Sequence, residues 1–154
     1  MLHYFETMYT GLLHTHSLLR YFVLAALVVV VVISLQKWLG QKPYSKFDHT
    51  AGLYLFIFTH FQLLVGILLY FKSDLVQFNS TTMKTTELRY WAVEHITLNL
   101  IAIVLITLAR TTSKKMTDST QKHKRMFLFN AIALVIIVIS VAMSGRGIIH
   151  PNLF

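Results

Sequence analysis

Cysteine is absent from this 154-residue chain, which excludes disulfide frameworks, thiolate metal sites and iron–sulfur clusters at once. Charge is scarce as well: 13% of residues are charged against 55% hydrophobic, and the mean hydropathy is +0.60. A soluble domain of this length needs more polar surface. No basic residue precedes Arg20, and the first apolar run is not followed by a small-x-small cleavage site and a soluble domain, so the N-terminus is expected to be retained rather than cleaved as a leader. Internal repeats and low-complexity stretches are also missing, apart from the valine run at 28–32, which carries no chemistry.

What is present is apolar and comes in blocks. Four runs, about Ser17–Gln36, Thr50–Phe71, Tyr90–Ala109 and Met126–Ser144, are near the ~20 residues that carry a helix across a hydrocarbon core of about 30 Å. Backbone polar groups in lipid must be satisfied internally, and the runs are too long for barrel strands. The expected fold is an all-α membrane protein: four transmembrane helices in an antiparallel bundle, with residues 1–154 as a single domain. Residues 2–15, with Tyr4, Phe5 and Tyr9, are expected to form an interfacial segment or an extra turn of the first helix. Trp38, Tyr44, Tyr70, Tyr90 and Trp91 fall near predicted helix ends, where an aromatic belt is the simplest account. Gly52 and Gly66 lie in the second helix without the GxxxG spacing and signal close packing only weakly.

Lys and Arg concentrate in cytoplasmic loops, so their placement orients the bundle. Loops one and three carry Lys37, Lys42, Lys46, Arg110, Lys114, Lys115, Lys122, Lys124 and Arg125, nine of the fourteen basic residues. Both termini are therefore expected on the outer, periplasmic side of a bacterial cytoplasmic (inner) membrane. The net charge of +8 is then an anchoring signature; a nucleic-acid partner would need a basic face on a soluble fold, and none is expected.

Ionisable groups inside the spans are costly enough to be functional candidates by default. Counting 1.5 Å per residue from Lys37, Asp48, Arg110 and Arg125 as inner edges places His60 roughly 18 Å, His95 about 22 Å, Glu94 about 24 Å and Arg20 about 25 Å from the inner face, with His16 further out at about 31 Å. Residues four apart share a helix face. His16 and Arg20 stack on the first helix, and His49, Leu53, Phe56, His60, Leu64 and Ile67 form a stripe on the second. His95, Asn99, Ala102 and Ile106 form one on the third, while Gln62 and Glu94 point off these stripes.

Such a layer suits haem b, which takes one or two imidazoles as axial ligands, an aliphatic and aromatic wall, and cations for its propionates. His60 and His95 are close in depth and serve as candidate ligands; Arg20, with Arg146 or His16, is a candidate propionate partner. A flat ligand fits best between diagonal helices of an up-down bundle, which favours a second pairing, His16 or His14 with His95, at a depth mismatch of about 9 Å. A simpler account makes Arg20 and Glu94 a buried ion pair. His49 and His123, at the inner edge, are expected to be solvated, with a second haem between them as a remote alternative. His3 and His150 are terminal and uninformative.

The segments "LLHTHSLLRYFVL", "FTHFQLLVGILLYF" and "RYWAVEHITLNLIAIVLITLAR", followed by a basic loop and "HKRMFLFNAIALVIIVISV", resemble small bacterial four-helix membrane proteins loosely labelled cytochrome b-like. The likeness runs over nearly the whole chain. Its motifs, HxHSxxR, HxQLLxG and EH, fall here on His14, His16, Ser17, Arg20, His60, Gln62, Gly66, Glu94 and His95. The resemblance implies haem without fixing a reaction.

The expected function is thus that of a b-type haem protein passing single electrons, linked to quinol or a periplasmic partner and to other membrane subunits, with Glu94 as a proton site if a quinone is involved. Whether it is an electron-transfer component of an oxidoreductase complex stays open, as does homo- or hetero-oligomeric assembly in the lipid bilayer. Two alternatives stand beside it: a non-haem Zn, Cu or Fe ion held by His16, His60, His95 and Glu94, and a structural accessory subunit whose polar layer serves assembly.

Overall fold

The computed structural model describes residues 2–144, with side chains from residue 6 onward. It is all-helical among these residues. Helix α1 runs Leu2–Leu39, α2 Lys46–Lys72, α3 Thr86–Ser113 and α4 Ser119–Met143, and each is long and apolar enough to cross a membrane. Within α3, an α-helical turn Thr86–Arg89 is followed by a π-helical turn Tyr90–Glu94 and then the α-helix His95–Ser113.

The helices are longer than their apolar runs, for local reasons. Residues 2–15 continue α1 because no proline interrupts them and the side chains of Thr10 and Thr15 bond back to the Glu6 and Gly11 carbonyls one turn earlier. At the other end, α4 starts at Ser119 rather than near Met126 because the Asp118 side chain accepts the Gln121 N–H at 2.7 Å, a side-chain cap on an otherwise orphan donor. Between α1 and α2, Asp48 accepts from Lys37 Nζ at 2.8 Å on both oxygens and from the Ser45 N–H and hydroxyl at 2.7 Å. The turn is fixed by one carboxylate.

Helix α1 packs on α2 and α4, and α3 packs on α4 and α2. That order sets α1 and α3 opposite each other across the bundle. Leu27, Val30, Leu55, Ala102, Ile106, Ala109, Met126, Ala133 and Ile137 form the continuous apolar core. Buried polar side chains lie toward both ends of it, Asp48, Arg110, Ser113 and His123 near the basic loops and Ser140 at the other end, where Val65, Leu69 and Tyr90 are also buried. Outside, Phe22, Val29, Ile57, Phe61, Leu68, Val104 and Val135 are all exposed. Helices that are apolar all round, with large aliphatic and aromatic groups outside, match a hydrocarbon surround rather than water.

Candidate functional site

The π turn is the local device that builds the site. Residues five apart on an α-helix sit about 140° apart around the axis, whereas a π turn brings them nearly into line. Here the His95 N–H bonds to the Tyr90 carbonyl five residues back, and the two rings lie 5.7 Å apart between centroids. A neighbouring carbonyl of the widened turn, that of Ala92, accepts the Tyr70 hydroxyl of α2 at 2.7 Å. The turn is therefore held from outside its own helix.

Stacking Tyr90 on His95 places its hydroxyl 3.2 Å from His95 Nδ1. The same hydroxyl lies 2.6 Å from the Ser140 carbonyl of α4, to which it donates. A phenol has one proton, so toward His95 the oxygen can only accept. Asn99 offers no competing donor: the two protons of its amide nitrogen go to the His95 carbonyl at 2.7 Å and Ser140 Oγ at 3.0 Å, leaving none for Nδ1 at 3.4 Å. These partners favour the tautomer of His95 with the proton on Nδ1 and the lone pair on Nε2. That is the tautomer of a histidine prepared to ligate a metal, with its second nitrogen anchored by an outer partner.

Across the bundle, the His16 ring of α1 stands 6.4 Å from the His95 ring, with planes at 60°. Two residues of α2 seat it there. Gln62 of α2 donates to the His16 carbonyl at 3.0 Å. Gly66, one turn further on, leaves room for the ring, since a Cβ there would stand 3.1 Å from His16 Cε1. Arg20 lies one turn along α1, donates to the Tyr21 hydroxyl at 3.3 Å and is close enough to act electrostatically on both imidazoles. Nδ1 of His16 is buried with no hydrogen-bond partner, an uncommon state for a polar atom in a protein interior.

The other candidates fall elsewhere. His60 turns away from the pair: its Nδ1 lies 2.8 Å from the Phe56 carbonyl of its own helix and its ring 4.0 Å from the Phe56 ring. The stripe on which it sits is the outer one, with His49, Leu64 and Ile67 exposed, while α2 buries Asp48, Gly52, Leu55, Thr59, Val65 and Leu69. His14 is exposed on α1. Glu94 pairs with Arg89 at 2.6 Å, not with Arg20. His123, expected to be solvated, is completely buried and packs on the Tyr44 ring at 5.0 Å, because the capped start of α4 carries it beneath the first loop. Arg146 lies outside the described residues, as do His150 and the side chain of His3.

The ~9 Å depth mismatch of the diagonal pair shrinks to about 3 Å for a specific reason. Arg110 is not at the inner edge: it is 8% exposed, bonds the His49 carbonyl at 3.2 Å, and α3 continues to Ser113. Counted from Lys114 instead, His95 lies about 28 Å out, near the ~31 Å of His16. Among the described residues no group of three or more His, Cys, Asp or Glu is placed to hold a metal ion. Family models, curated proteins and solved structures give no match to this chain.

Proposed function

We propose that the chain is a multi-pass b-type haem protein of the bacterial cytoplasmic membrane, its four helices alternating in direction with both termini outside, and that His16 and His95 are the axial pair. The facing rings carry the reading. If haem binds here, His16 and His95 would hold its iron between them, since helices on opposite sides of the bundle bring their ring centres within 6.4 Å of each other. Haem, when bound, supplies a reversible one-electron couple.

This chain's own residues do the rest. Tyr90, through Ser140, keeps the proton of His95 on Nδ1 and the ring fixed in rotation; Gln62 and Gly66 seat His16. Arg20 places a cation beside the pair for a propionate. The likeness to cytochrome b-like four-helix proteins adds to this assignment, and a quinol pool or a periplasmic donor on the outer side, with another membrane subunit as acceptor, completes it. Glu94, paired to Arg89 near the same end, is the group available for a proton that accompanies quinol oxidation.

The test is the absorption spectrum of the detergent-purified full chain. A Soret band with α and β bands on reduction is expected for the parent, lost in His16→Ala and His95→Ala and kept in His60→Ala and His123→Ala. Colourless parent protein would contradict the assignment and leave the layer a structural one.

A further inference from the structure

At the opposite end of the bundle from the imidazoles, a cavity of about 510 Å³ opens where α2 begins, α3 ends and α4 begins. Its wall includes Tyr44, Lys46, His49, Arg110, Lys114 and Lys122. Four of these are Lys or Arg, and no carboxylate lines it.

The nearest carboxylates along the chain are already committed. Asp48 is held by Lys37 and Ser45, and Asp118 caps α4. Arg110 is 8% exposed, bonds one neutral carbonyl, that of His49, and makes no ion pair among the described residues. Its planar fork faces the cavity with several donors left for oxygen acceptors. Lys122 lies over the Tyr44 ring at 5.2 Å, which keeps its ammonium at the cavity wall. Burial raises the Tyr44 hydroxyl above its ordinary value, so that group remains a neutral donor beside the cations.

We infer that this cavity binds a phosphate-type oxyanion, with Arg110 as the buried anchor and Lys46, Lys114 and Lys122 as the surrounding cations. The site lies where the helices leave the apolar layer, at the depth of lipid headgroups, so a phospholipid phosphate and free phosphate are the two sources of that chemistry. Neither source depends on the haem assignment.

The experiment follows thermal unfolding of the full chain in neutral detergent at fixed ionic strength, titrated separately with phosphatidylglycerol, phosphatidylcholine and inorganic phosphate. A ligand that binds the folded state raises the midpoint. Stabilisation by phosphatidylglycerol and not by phosphatidylcholine is expected. The Lys114→Ser/Lys122→Ser variant should weaken it by about fivefold per lysine, roughly 25-fold together. Lys72→Ser/Lys84→Ser, which removes the same charge at the other end, should leave it unchanged. Stabilisation by inorganic phosphate as well supports the site and assigns free phosphate as a sufficient ligand; its absence assigns the headgroup. Arg110→Gln should abolish the effect, and if that variant does not fold the lysine pair still decides. Equal effects of the two lipids, no effect of any ligand, or equal weakening by the two double variants would overturn the proposal.

Discussion

Tyr90→Phe removes one oxygen and tests whether the histidine is prepared by its neighbours. In the folded chain that oxygen accepts the Nδ1 proton of His95 and donates to the Ser140 carbonyl at 2.6 Å. Without it, the Ser140 carbonyl loses a partner in a low-dielectric interior, a cost of about 1–3 kcal/mol to the fold. His95 loses the group that specifies its tautomer and rotation, and outer-shell losses of this kind lower metal affinity about 10–100-fold, or roughly 1.4–2.8 kcal/mol. The assay is haem titration of the apoprotein in detergent, followed at the Soret band, with nitrogen NMR of the apoprotein reporting the His95 tautomer. The parent should show a protonated Nδ1; Tyr90→Phe should show mixed tautomers and 10–100-fold weaker haem binding. Unchanged affinity, or a parent His95 protonated on Nε2, would refute the reasoning.

Other substitutions separate the parts of the site. Gly66→Ala sets a methyl 3.1 Å from His16 Cε1; displacement of the ring should lower haem occupancy and cost about 1–3 kcal/mol in thermal unfolding, whereas Gly11→Ala, with open space around it, should do neither. Gln62→Leu removes the donor to the His16 carbonyl and should cost about 0.5–1.5 kcal/mol with a smaller loss of haem than Gly66→Ala. Asp48→Asn leaves Lys37, whose side chain is 26% exposed, without its charge partner; a loss of about 1–3 kcal/mol in unfolding is expected, with the spectrum of the folded protein unchanged because the pair is at the other end of the bundle.

The four spans were legible because each is an apolar run of nearly the right length and nothing else in the composition competes. His95 and Glu94 stood out for the same reason: charge or imidazole in such a run is rare. That the fold sets His16 beside His95 is harder to read. Equal periodicity along α2 suggested His60, but which stripe of an apolar helix faces inward is not encoded by hydrophobicity when lipid and core are equally apolar. Asp48, Gly52, Thr59 and Gly66 carry that information, as small or polar residues on one face. Arg110 reads as an edge residue in the sequence, yet it is buried and bonds the His49 carbonyl, so a depth for His95 counted from it comes out short. Tyr90 was hidden by two regularities at once: an aromatic near a helix end reads as belt, and a five-residue spacing reads as opposite faces until a π turn closes it. No sequence signal used above marks that turn.

Whether one iron sits between His16 and His95 is tested most directly by ligand exchange, with His16→Gly in the presence and absence of added imidazole. The parent, oxidised, should be low-spin and six-coordinate. His16→Gly should lose haem or become high-spin, and imidazole in the space left by the side chain should restore the low-spin spectrum; the same treatment of His60→Gly should change nothing. A low-spin spectrum in His16→Gly without imidazole, or its loss in His60→Gly, would contradict the account.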